Sequence, residues 1–202
     1  MKYFVEIGSA DFDTLLPMCD YGWKGICVEP VEGLYQNLSE EAKSKKLPVE
    51  TLNCAISERD GEVEMVQVTR LDWEGEQAWA NGVSHISQKH NNGKYSGCLL
   101  ENINDVLPRE RKQVPCQSLN SLINYLRNES VVFRGFKDAI GFMRLDTEGH
   151  EVHILDAYNW EIKPSVIKVE HAHCDKEDLR KILQDQKYFI QEEQYDLYGL
   201  LQ

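Results

Sequence analysis

Four apolar runs in this chain close on, or next to, an acidic residue: Tyr3 to Gly8, Gly25 to Glu29, Ala139 to Asp146 and Pro164 to Glu170. Such nearly continuous runs predict strands covered on both faces, as in a parallel sheet. A third strand is expected over Val49–Ile56, between the second and the last two runs. The segments between the runs switch to helical spacing. Residues 31–45 gather Val31, Leu34, Tyr35 and Leu38 on one face, and Glu148–Tyr158 and Lys176–Gln186 read as further helices. Phe12–Tyr21 has helical spacing but carries Pro17, which predicts a short or kinked helix.

The stretch from Asp60 to Leu119 follows a different rule. Gly61 to Val68 alternates apolar and polar residues, as a half-exposed antiparallel strand does. Residues 70–112 hold Trp73, Trp79 and Asn91-Asn92-Gly93 but no sustained period; a connection of that length is usually functional or mobile. Val114–Leu119 is expected to return as a strand, with Ser118 capping a helix from Leu119 to Arg127. Tyr188–Ile190 and Leu197–Leu201 predict two closing strands joined by a short turn, hence antiparallel. At 202 residues, with no internal repeat or linker, the chain predicts a single domain over 1–202 with layered α/β architecture.

Charge narrows the partners. The net charge is −12, from 34 acidic and 22 basic side chains, whereas nucleic-acid binding depends on neutralising phosphates; no nucleic-acid partner is expected. Arg109 to Lys112 and Lys43 to Lys46 are short and read as solvated loop or helix faces. No apolar run approaches the roughly 20 residues of a membrane span, and the opening lacks the apolar stretch and cleavage site of a signal peptide. The six cysteines include no CxxC pair and read as reduced thiols, with Cys27 and Cys54 as small core residues. A cytoplasmic location is the resulting expectation.

In an open parallel sheet, ligands bind beyond the carboxyl ends of the strands. Glu6, Glu29, Asp146 and Glu170 are therefore expected to share one rim. Gly8 falls where a strand turns into a helix, and Glu29 follows Glu6 by roughly the 20 residues that separate a glycine turn from a ribose-binding carboxylate. That pairing points to a nucleoside cofactor. A dinucleotide fingerprint would need further glycines, but Gly8 is followed by Ser9, Ala10, Asp11, Phe12 and Asp13, so close approach of a pyrophosphate is disfavoured. S-adenosylmethionine carries no phosphate, and an acidic rim suits its positive sulfonium and amino groups.

Glu6 to Ala10, Val28-Glu29-Pro30, Asn53 to Ser57 and, above all, Arg144-Leu145-Asp146-Thr147-Glu148-Gly149-His150-Glu151 resemble the FkbM family of class I methyltransferases. The likeness runs from residue 3 to about 172. It implies a Rossmann-like fold: a mostly parallel sheet, an antiparallel C-terminal strand and an inserted loop or hairpin region around 60–119. It also implies methyl transfer from S-adenosylmethionine, usually to an oxygen, so the acceptor expected is a small molecule or glycan. By the same resemblance Glu6, Gly8, Ser9 and Ala10 lie at the methionine end of the cofactor, Glu29 and Pro30 at the ribose, Cys54, Ala55 and Ile56 at the adenine, and Asp146 near the methyl. Family members commonly carry Asp where Glu6 stands and a further glycine beyond Ala10, and Leu119-Asn120 replaces a usual Leu-Asp pair.

A hydroxyl acceptor benefits from a base that takes its proton as the new bond forms, and Asp146, Glu170 and His171 are the catalytic candidates. Glu148 and Glu151 have a blander reading as acids opposing a helix dipole, and His173 as a surface histidine. Asp146, Glu148, His150, Glu170, His171 and His173 are all metal-ligand types, but they show no compact ligand spacing and strand neighbours point to opposite faces; no metal is expected. The segment Asn81 to His85 is expected near the acceptor, with Trp73, Trp79 and Tyr95 either stacking on it or pinning the loop. The competing reading is a catalytically inactive relative that binds the cofactor or a protein partner.

Overall fold

Strand β1 (Lys2–Ile7) is buried at every position after the first, and its alternation sorts the core into two layers. Phe4 packs on one side of the sheet with Leu16, Cys27 and Leu38. Val5 and Ile7 face the other side, with Ile26, Val28, Leu122, Leu126 and Ile154. The structure, a computed structural model, describes residues 2–10, 14–68, 84–87, 109–136 and 139–202.

β1 lies between β2 (Trp23–Val28) and β8 (Phe142–Leu145) and runs parallel to both. β3 (Val49–Leu52) extends the sheet beyond β2, and β9 (Val166–Glu170) extends it beyond β8, again in parallel. The closing strands β10 (Tyr188–Glu192) and β11 (Asp196–Leu201) pair antiparallel, and β11 also pairs antiparallel with β9. The order of this seven-stranded sheet is β10-β11-β9-β8-β1-β2-β3, the mostly parallel arrangement with an antiparallel C-terminal edge that the apolar runs predict.

The strand expected over Val49–Ile56 divides in two. β3 ends at Leu52, and β4 (Ala55–Ser57) joins a second, four-stranded sheet of order β4-β7-β5-β6. Its other members are β5 (Gly61–Val68), β6 (His85–Ile86) and β7 (Arg109–Ser118). The Asn53 side-chain amide holds the break, donating to the carbonyls of Glu29 at 2.9 Å and Pro30 at 3.2 Å. β7 begins at Arg109 rather than Val114 because it pairs along the whole of β5; the basic segment Arg109 to Lys112 is strand, not loop or helix.

Helix α1 (Glu32–Ser44) buries Leu34, Leu38 and Ala42. Before it, a 3-10 turn over Leu16–Tyr21 has Pro17 at its start and ends on Gly22 at φ 78°, the short element that Pro17 predicts; Phe12 and Asp13 lie outside the described residues. Helix α2 (Leu119–Asn128) is capped by Ser118, which accepts from the Ser121 amide at 3.2 Å. Helix α3 (Glu151–Ala157) starts later than Glu148, since Glu148 and Gly149 both take positive φ, 57° and 103°. Helix α4 (Lys176–Asp185) is capped by Asp175. Among the described residues no helix is long and apolar enough to cross a membrane.

Candidate functional site

Strand register decides which acids share the rim. Ile7 pairs with both Val28 and Leu145, and Leu145 pairs with Val169. The next residues, Gly8, Glu29, Asp146 and Glu170, therefore form one row at the carboxyl ends of the four strands. Amide hydrogen bonds carry the row on, from Gly8 to the Val28 carbonyl at 2.9 Å and from Asp146 to the Ile7 carbonyl at 3.0 Å. Gly8 sits at φ 77°, and a Cβ built on it would fall 1.7 Å from the Asp146 carbonyl oxygen. Glycine is required there by both conformation and space.

Glu6 does not belong to this row. It pairs in register with Cys27 and Arg144, on the Phe4 side of the sheet, and has no exposed surface. Its carboxylate accepts from the Leu15 amide at 2.9 Å and the Cys27 thiol at 3.2 Å, and lies 3.3 Å from the Arg144 guanidinium. Burial pushes this carboxyl up, against the Leu15 amide and Arg144, which lower it. It supports the loop beyond Gly8 from below and is absent from the cavity wall.

The row opens onto a cavity of about 700 Å³, within the span of roughly 300–1,000 Å³ typical of small-molecule sites. Gly8, Ser9, Ala10, Glu29 and Pro30 line one end, and Cys54, Ala55 and Ile56 line the side formed where β3 breaks into β4. Glu29 is nearly buried; its two carboxylate oxygens accept from the Ala10 amide at 2.8 Å and the Val31 amide at 2.7 Å. Both oxygens lie at the end of the cavity lined by Gly8, Ser9 and Ala10. Met65 and Ile86 of the second sheet add to the wall, as does Ser84 just before β6, so the 81–85 segment does reach the cavity through Ser84. Asn81 to Val83, Trp73, Trp79 and Tyr95 lie outside the described residues.

Acidic groups crowd the other half of the row, beyond Gly8. Asp146 Oδ2 lies 2.8 Å from Arg144, which ties this carboxylate to Glu6 through one guanidinium. Glu148 stands outside α3, in the positive-φ turn, and lines the cavity; the helix-dipole reading does not hold for it. Burial, with Asp146 and Glu151 nearby, pushes its carboxyl up to about 8. Burial and the same acidic neighbours push Glu170 well above the usual carboxylate range. Glu151 does open α3, but fully buried, accepting from the Thr147 amide at 2.6 Å and the Gly149 amide at 3.0 Å. Burial raises it to about 7 despite those bonds.

His171 is not on the cavity wall. Its amide donates to the Tyr195 carbonyl at 2.7 Å and its ring lies 3.3 Å from the Glu193 carbonyl, tying the end of β9 to the β10–β11 turn. The imidazole that lines the cavity is His173, 3.1 Å from Glu148, and desolvation lowers its pKa, opposed by Asp146. His150 is also elsewhere, fully buried against Ser57 and Glu58. Arg144 is a cavity residue with no role expected from sequence, whereas Glu148 and His173, read there as metal-ligand types, a dipole acid or a surface histidine, also line the wall. Arg144 and Glu148 lay inside the Arg144 to Glu151 block, so that block was the available signal. His173 sits in a loop that no periodicity describes.

Residues 4–190 match a family model described as "Methyltransferase FkbM domain". Two solved structures are similar to the chain at 10% identity. One is the N-terminal domain of human METTL16 in complex with SAH, with TM-score 0.46, covering 100% of this chain and 62% of that one. The other is a second crystal structure of the N-terminal domain of human METTL16, with TM-score 0.45, covering 98% of this chain and 59% of that one. No curated protein matches the chain.

Proposed function

The chain belongs to the FkbM methyltransferase domain family, and from that premise we propose that residues 1–202 form a single domain transferring a methyl group from S-adenosylmethionine to a hydroxyl oxygen of a small molecule or glycan. One observation carries this reading: Gly8 and Glu29 open onto the same cavity as Asp146 and Glu170. That arrangement supports a cofactor along Glu29 and Gly8 with its methyl directed toward the adjoining Asp146 and Glu170.

The cofactor's methionine end lies against Gly8, Ser9 and Ala10, its ribose hydroxyls donate to Glu29 beside Pro30, and its adenine rests among Cys54, Ala55 and Ile56. Glu6 acts one layer below, by holding the turn. The transfer is an in-line displacement: the acceptor oxygen forms a bond to the methyl carbon while the carbon–sulfur bond breaks, and the electron pair stays on the neutral sulfide. Positioning accounts for much of such a rate. The hydroxyl proton passes to a base at the acidic end, where Asp146, Glu170 and His173 line the wall; His173 replaces His171 in this role. The excess of 34 acidic over 22 basic residues supports an uncharged hydroxyl acceptor over a nucleic acid. The described cysteines are all free thiols, which supports a reducing, cytoplasmic setting.

Incubation with labelled S-adenosylmethionine and a panel of sugars, hydroxylated small molecules and an RNA oligonucleotide tests the reading. A hydroxyl compound that gains the mass of one methyl group supports it. Label on the oligonucleotide alone, or on nitrogen, overturns the acceptor class. Tight cofactor binding with no product from any acceptor favours the inactive relative.

A further inference from the structure

Three side chains from separate segments converge at the acidic end: Glu148 in the turn after β8, Glu170 at the end of β9 and His173 in the loop before α4. One ligand atom from each lies within 4.8 Å of those of the other two. Metal–ligand bonds of about 2.0–2.2 Å set two ligands of one ion at most about 4.4 Å apart, so the group needs only a small inward adjustment. A second observation is independent of that spacing. Glu148 Oε2, Glu170 Oε2 and His173 Nδ1 are each shut off from solvent and make no hydrogen bond, although Glu148 Oε2 stands 3.1 Å from His173 Nε2. Buried polar atoms nearly always have partners. Two unsatisfied carboxylate oxygens, with an imidazole nitrogen 3.1 Å from one of them, fit a shared cation better than they fit one another.

We propose that Glu148, Glu170 and His173 bind one divalent transition-metal ion. The donor set mixes hard carboxylate oxygen with borderline imidazole nitrogen, which suits Mn²⁺, Fe²⁺ or Zn²⁺ better than Mg²⁺ or Ca²⁺, whose sites are built from oxygen. Linear spacing conceals the site, because its ligands come from a positive-φ turn, a strand end and a loop that only the sheet brings together. Three protein ligands leave open coordination positions, and here they face the cavity that also holds Asp146. An acceptor with two adjacent oxygens can occupy them. With the ion bound, Glu170 and His173 are its ligands and Asp146 is the candidate left to take the hydroxyl proton; that use rests on the methyl-transfer reading, and binding of the ion does not.

The test uses the whole chain, freed of metal with a chelator and titrated with MnCl₂ by calorimetry and electron paramagnetic resonance, without methyl donor. One ion per chain is expected, with nitrogen coupling from His173 in the echo-modulated spectrum. Glu170→Gln and His173→Gln each weaken binding by about tenfold or more, while Glu64→Gln on exposed β5 surface leaves it unchanged; circular dichroism and melting curves establish that each variant is folded. Loss of the nitrogen coupling in His173→Gln assigns the ligand even where affinity changes little. Parallel titrations should find Zn²⁺ tight and Mg²⁺ weak. No binding, or binding without nitrogen coupling that both variants leave intact, overturns the proposal. Ion binding in a chain that methylates no acceptor leaves the site standing and removes the function instead.

Discussion

Gly8 and Asp146 approach so closely that a single added carbon does not fit between them: a Cβ on Gly8 would stand 1.7 Å from the Asp146 carbonyl oxygen. The contact joins the turn after β1 to the end of β8, the two strand ends that divide the nucleoside end of the cavity from its acidic end. Gly8→Ala therefore has two costs, roughly 1–2 kcal/mol for the left-handed backbone and the displacement of Asp146. A fall in melting temperature and loss of calorimetric S-adenosylhomocysteine binding are expected together. Gly33→Ala is the matched control, since a Cβ there meets nothing within 4 Å and replaces glycine inside α1, gaining roughly 0.5–1 kcal/mol.

Glu29 anchors the turn and faces the ligand at once. Its bonds to the Ala10 and Val31 amides, at 2.8 and 2.7 Å, fix the loop, and ribose hydroxyls would add to them. A hydrogen bond to a charged group contributes about 1.5–3 kcal/mol, so Glu29→Gln should weaken S-adenosylhomocysteine binding by about tenfold to a hundredfold, and Glu29→Ala by more. Unchanged calorimetric affinity in a folded Glu29→Gln protein would remove the ribose assignment.

The central strands were legible because burial on both faces leaves a nearly continuous apolar run, as in β1 and β2; their order in the sheet was not. Carboxylate position was legible only to within one or two residues. Gly8 follows Glu6 by two residues, just past the end of β1, and only pairing with β2 and β8 decides which of them reaches the rim. The division of β3 from β4 is not legible in the sequence because Asn53-Cys54 interrupts the apolar pattern too briefly to mark a change of sheet. His171 and His173 differ in the same way as Glu6 and Gly8. Neither local pattern nor composition distinguishes a ring held on the β10–β11 turn from one turned into the cavity.

Asp60 extends the α2 cap across the second sheet, accepting from the Ser118 amide at 2.7 Å and the Ser121 hydroxyl at 2.7 Å. These bonds, the Ser118 amide first, hold its carboxyl below the usual value. A carboxyl depressed in the folded state stabilises fully above its unfolded pKa of about 3.9 and loses that contribution as pH falls through its lower folded value. The site is exposed, so the gain is under about 1 kcal/mol. Urea midpoints should place Asp60→Ala below wild type at neutral pH, with the gap closing in acid below about pH 4. A gap that stays constant down to strong acid would assign the effect to the shape of the side chain rather than its charge.

His150 links the two sheets where the cofactor wall depends on both. It is fully buried in the turn before α3, with Nε2 3.1 Å from the Ser57 hydroxyl and 3.1 Å from Glu58 at the end of β4. The His150 ring also packs on His153, with centroids 4.6 Å apart. Hydrogen bonding from His150 holds the Glu58 carboxyl far below the usual range. Truncation to alanine removes both contacts and leaves a void at a fully buried position, although the Ser57 hydroxyl still donates to Glu58 at 2.6 Å; a loss of about 1–3 kcal/mol is expected. The loss should concentrate at the end of β4, because Ser57 and Glu58 are the groups that His150 holds, whereas Ile56 keeps its packing in the main core. Amide exchange in His150→Ala is therefore expected to rise more in Ala55–Ser57 than in β1, with cofactor affinity falling although His150 is absent from the cavity wall. A uniform rise across both sheets would make His150 ordinary core filling, whereas selective loosening makes it the residue that holds the adenine side of the cavity in place.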